Sequence, residues 1–121
     1  MRVLIAIACL CIAACSTRPP VAEPAFSGHM RNGCLPEAAA MVEGLHGAGI
    51  QARGLLVTTP TWRHAVAVYL YPTGDNRLWV WDSTWKSVRV RAWWSDPSGI
   101  ARAWISSTGR NTSILSASFL E

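Results

Sequence analysis

His64-Ala65-Val66-Ala67-Val68-Tyr69-Leu70-Tyr71, then Pro72-Thr73-Gly74-Asp75-Asn76, then Arg77-Leu78-Trp79-Val80-Trp81-Asp82-Ser83-Thr84, reads as a β-hairpin. Two runs rich in β-branched and aromatic residues flank five residues of turn chemistry. The register that sets Tyr71 opposite Arg77 also sets His64 opposite Thr84 and Val66 opposite Asp82. His64 and Asp82 are then diagonal neighbours on one face, within reach of long side chains. A slip of one residue would put them on opposite faces. Val66, Val68, Leu70, Leu78 and Val80 share the histidine side, and Ala65, Ala67, Tyr69, Trp79 and Trp81 share the other. Strands apolar on both faces are covered on both. The expectation is a small α+β domain, an antiparallel sheet with a helix packed on it.

Working back toward the N-terminus, Gly54 to Thr59 is β-rich and predicts a strand. Before it, Pro36 to His46 predicts a helix: Ala38, Met41, Val42 and Leu45 recur at i, i+3, i+4 and i+7. Pro36 and Glu37 suit a first turn, and Gly44, Gly47 and Gly49 supply the stop. Cys34 stands just before this helix, where unsatisfied N–H groups favour a thiolate. Forward from the hairpin, Val88 to Trp94 alternates like a half-exposed strand. Ser95-Asp96-Pro97 reads as a helix start and Ile100 to Ile105 as a short helix. Thr112 to Leu120 is either a last strand or a loose tail.

The chain is 121 residues, room for one domain. Val3 to Ala14 is an apolar run of secretory-signal length behind Arg2, shorter than the roughly 20 apolar residues that span a bilayer. It ends in Ile12-Ala13-Ala14-Cys15-Ser16, which resembles a bacterial lipobox with isoleucine in the usual leucine place. That resemblance implies removal of residues 1–14, lipidation of Cys15 and an envelope location, the outer membrane facing the periplasm given Ser16. An ordinary signal peptide with an incidental Cys15 is the alternative. Residues 15–31 then form the lipidated start and a Pro-, Ser- and Gly-bearing tether, and residues 32–121 the folded domain. Cys9 and Cys11 leave with the signal, so Cys34 is the remaining free thiol, either reactive or a buried small hydrophobe.

Removing Arg2 leaves ten basic against seven acidic residues. Six of the ten lie after residue 75, in the Trp-rich half, against Asp82, Asp96 and Glu121. A charge this modest does not point to nucleic acid; it fits either a solvated face or an acidic envelope partner such as anionic lipid or cell-wall polymer.

A cysteine nucleophile needs a base, and the base needs an orienting partner on its other nitrogen. Residues 33–85 resemble the transglutaminase-like branch of the papain-like cysteine enzymes. The pieces are Gly33-Cys34 leading into the Ala38–Leu45 helix, Gly49-Ile50-Gln51-Ala52-Arg53, His64-Ala65-Val66 opening a strand, and Trp81-Asp82-Ser83-Thr84-Trp85. The resemblance implies a papain-like core whose nucleophile helix packs on the sheet. It implies Cys34 as nucleophile, His64 as general acid/base and Asp82 as its orienting group. The chemistry the resemblance implies is acyl transfer from a peptide or protein amide through a thioester, to water or an amine, with no cofactor. The Cys34 N–H is one oxyanion donor and Asn32 the candidate second; Trp62 is placed to wall the cleft. Two other readings stand beside it: a catalytically inactive binding or assembly lipoprotein on the same fold, and an open metal site of Cys34, His64 and Asp82. No CxxC or HxxxH spacing supports a metal, and none is expected.

Overall fold

The computed structural model describes residues 18–24, 34–84 and 86–120. In chain order it contains α1 (Cys34–Gly47), β1 (Ala52–Thr58), β2 (Arg63–Leu70), β3 (Leu78–Asp82), β4 (Lys86–Arg89), α2 (Pro97–Ser107) and β5 (Ser116–Leu120). The strands form one five-stranded sheet in the order β4-β3-β2-β1-β5, antiparallel throughout. This is a small α+β fold.

The hairpin register matches the expected one. Leu70 pairs with Leu78, Tyr69 with Trp79, Val68 with Val80 and Ala67 with Trp81, and the Tyr71 N–H donates to the Arg77 carbonyl at 2.8 Å. Gly74 and Asn76 both take a positive φ in the turn, 100° and 51°.

Several boundaries moved for local reasons. Among the described residues the first helix begins at Cys34, two residues before Pro36, so Cys34 is itself helical instead of standing ahead of the helix. A proline in the first turn costs no hydrogen bond, so it permits this extension. The strand expected over Val88–Trp94 starts earlier and stops at Arg89. Beyond it the Asp96 N–H bonds the Trp93 carbonyl, and the chain turns into α2. That helix is longer than Ile100–Ile105 because Asp96 caps it, accepting from the Gly99 N–H at 3.0 Å, with Pro97 opening the first turn. The C-terminal tail is a strand: β5 pairs with the otherwise open edge of β1.

A helix covers each face of the sheet. Val66, Val68, Leu78 and Val80 join Leu55 and Val57 beneath Ile100, Ala101, Trp104 and Ile105 of α2. Ala52, Ala67, Tyr69 and Trp81 meet Met41 and Leu45 of α1 on the other side. Burial of each large apolar side chain contributes roughly 1.5–3 kcal/mol. The sheet's far edge is pinned by Arg53 of β1, whose guanidinium lies between the Trp94 and Phe119 rings at 4.1 and 3.4 Å and donates to the Trp94 carbonyl. Burial pushes its pKa below the usual arginine value. Among the described residues no helix is long and apolar enough to cross a membrane.

Candidate active site

His64 is the second residue of β2, and a tight turn aims it. The Thr59 N–H and hydroxyl both donate to the Trp62 carbonyl, at 2.8 and 3.1 Å, while the Trp62 N–H returns a bond to the Thr59 hydroxyl oxygen at 3.1 Å. Thr59-Pro60-Thr61-Trp62 is therefore locked as β1 hands over to β2. Strand pairing then fixes His64 opposite Val57.

From the neighbouring strand Asp82 meets it. The His64 Nε2 donates to the Asp82 carboxylate, whose side chain is wholly buried, whereas His64 is partly open. The other carboxylate oxygen accepts the Thr84 N–H at 2.7 Å, a turn that holds the carboxylate from its second side. A buried carboxylate needs such donors, since desolvation is otherwise unfavourable by several kcal/mol. With Nε2 donating, Nδ1 is the nitrogen free to take a proton.

Aromatic rings pack around the imidazole. Trp104 of α2 stacks on it, ring centres 5.9 Å apart and planes 10° from parallel. Trp62 meets both edge-on, at 6.3 Å from His64 and 6.2 Å from Trp104. The Arg110 guanidinium lies 5.7 Å from the Trp62 ring centre. A cavity of about 280 Å³ opens here, lined by Trp62, Arg63, His64, Thr84, Trp104 and Arg110. Its walls are aromatic and its rim carries two positive charges.

Cys34 is a free, half-buried thiol. It begins the helix that covers the opposite face of the sheet, and among the described residues it forms no hydrogen bond to His64 or Asp82. The path of α1 does run toward them. Its C-terminal end returns through Ile50 to Ala52, which pairs with Tyr69 near the turn end of β2. The helix packs along β2, so its N-terminus lies toward the strand's His64 end. The structure thus joins His64 to Asp82 and sets Trp62 beside them, while Cys34 belongs to the helix whose Met41 and Leu45 pack on the other face of the sheet. Cys15 and Asn32 lie outside the described residues. Among the described residues no cluster of three or more His, Cys, Asp or Glu could hold a metal ion.

Two contributors escaped the sequence. Trp104 is a buried core tryptophan with no motif around it, yet it stacks on His64. Arg110 carried no local signal. The Thr84 N–H bond was traceable, since Asp-x-Thr is a turn-forming spacing.

Compared with protein-family models, curated proteins and solved structures, the chain matches none.

Proposed function

We propose that this chain is a thiol acyl-transfer enzyme of the cell envelope, with a papain-like, transglutaminase-like core. The observation that carries the reading is the His64–Asp82 bond, with Asp82 fully buried and aligned by Thr84. That is how a general base is oriented, and it leaves Nδ1 to accept a proton. Cys34 at the first turn of α1 is the nucleophile, its own N–H an oxyanion donor and Asn32 the candidate second donor. The thiolate attacks the carbonyl of a peptide-like amide, His64 passes the thiol proton to the leaving amine, and water or an amine resolves the thioester. Cys15 carries lipid, so the domain works tethered to the outer membrane on its periplasmic side.

The test is the rate of Cys34 alkylation against pH, read by mass spectrometry on the peptide that contains it. A thiol paired with His64 reacts rapidly below pH 7, and His64→Ala slows an acyl-enzyme-forming probe about a hundredfold or more. Alkylation that ignores His64 would sink the catalytic reading.

A second reading has its own observation. The helix bearing Cys34 and the His64–Asp82 pair belong to opposite faces of the sheet. A binding or assembly lipoprotein that keeps this fold without the chemistry fits that separation, and the same alkylation profile decides between the two.

A further inference from the structure

The turn end of the sheet carries a feature the proposed chemistry does not use. The hairpin turn and the segment after β4 enclose a shallow cavity of about 430 Å³, lined in part by Arg77, Arg89 and Arg91, with Asp75 the acid among them. All three arginines are exposed, and among the described residues none of them forms an ion pair. Trp93, on the same cavity, is 80% exposed, and Tyr71 on the turn is exposed too. Large aromatic side chains left in water beside unpaired basic groups mark an interaction surface. Tryptophan and tyrosine with arginine are the side chains of a membrane–water interface.

The path of the chain says which way this end faces. Val21 packs beside Gly44, near the C-terminal end of α1, and Glu23 accepts from the Trp81 indole at 3.4 Å. The segment therefore enters from the turn end of the sheet and runs toward the middle. Cys15 is six residues before Val21, at most about 20 Å away with the chain fully extended.

We infer that the turn end of the sheet is a membrane-docking face, Arg77, Arg89 and Arg91 meeting anionic phospholipid headgroups while Trp93 and Tyr71 enter the interfacial layer. The inference rests on the lipid anchor at Cys15 proposed above. A soluble polyanion would suit the arginines equally, but Val21, six residues after Cys15, packs beside Gly44 at this same end of the sheet. Docked so, β2 points its His64 end away from the bilayer by eight residues of strand, roughly 25 Å.

The full chain is reconstituted into phosphatidylcholine vesicles with and without phosphatidylglycerol, both with brominated acyl chains that quench indole emission on contact. The Trp93 signal, taken as the difference from Trp93→Phe, is quenched on the phosphatidylglycerol vesicles and not on the others. Each of Arg77→Gln, Arg89→Gln and Arg91→Gln lowers the docked-to-free ratio about five-fold, the gain expected of one basic residue at an anionic surface. Raised salt releases Trp93 in the unmutated protein, which needs no variant to fold. Equal quenching on both vesicles overturns the inference, as does Trp93 left unquenched by lipid while a soluble polyanion binds the same arginines. The mass of the N-terminal peptide reports acylation separately. An unacylated Cys15 with Trp93 still quenched removes the anchor and supports the docking face; an acylated Cys15 with Trp93 unquenched removes the docking face.

Discussion

The sheet presents valine and leucine to α2 but alanine, tyrosine and tryptophan to α1. Branched aliphatics stand tall and even, so the helix above them sits on a thick layer, with bulky Trp104 filling it toward the His64 end. Ala52 and Ala67 leave room for α1 to approach, and the aromatic side chains fill in around it. One face therefore holds its polar pair, His64 and Asp82, in an aromatic frame at the strand end. The other keeps its polar pair deep inside: the Tyr69 hydroxyl and Ser87 Oγ are 2.7 Å apart, both buried. A half-open pair at a strand end is suited to proton transfer, and a sealed pair only to stability. The proposed chemistry asks the two faces to cooperate around the end of β2.

The largest expected effect separates the two cores. Trp104→Ala removes a buried side chain and the ring on His64 and destabilises by about 3–5 kcal/mol, against about 2–5 for Met41→Ala on the buried face of α1. Urea unfolding compares them. The contrast breaks unless Trp104→Ala alone also alters the His64 imidazole resonances.

Asp82→Ala comes next, at about 1–3 kcal/mol, because it strips both the His64 imidazole and the Thr84 N–H of their acceptor. Thermal unfolding reads the loss. Its signature is an imidazole that no longer holds one orientation in NMR spectra.

On the α1 face, Tyr69→Phe orphans the buried Ser87 hydroxyl at about 1–2 kcal/mol. It also changes the alkaline limb of stability. Burial pushes the Tyr69 phenol up to about 12 from its ordinary 10, so the folded chain holds a proton that the unfolded chain releases. That contribution is complete below pH 10 and is lost as pH rises from 10 to 12. A melting series across that range should fall more steeply for the native chain than for Tyr69→Phe.

The smallest effect tests the edge that both faces share. A Cβ on Gly54 would stand 3.2 Å from Leu120 Cβ and Cδ1. Gly54→Ala should cost about 1 kcal/mol, seen as faster hydrogen exchange confined to β5.

How much of this was legible follows from range. The hairpin was readable because turn chemistry at Pro72–Asn76 and period-two alternation act within some twenty residues, and together they predicted the observed register. The short helix over Ile100–Ile105 was readable in place but not in length, since the Asp96 cap extends it and caps are local. The tail stayed ambiguous between strand and coil because β5 exists only by pairing with β1, some sixty residues earlier.

The same division runs through the site. Sequence by itself determined that His64 and Asp82 share a face and can meet, because side-chain direction alternates strictly along a strand. It placed Cys34 just ahead of the first helix, and the structure takes it into the first turn. Only the tertiary structure decided that α2 covers the histidine face and α1, the helix that carries Cys34, the other, and that Trp104 stacks on His64. A period of two says which residues stand together; it carries nothing about which helix folds over them. That choice is made by non-local packing, where alanines admit one helix closely and valines match another built around a tryptophan.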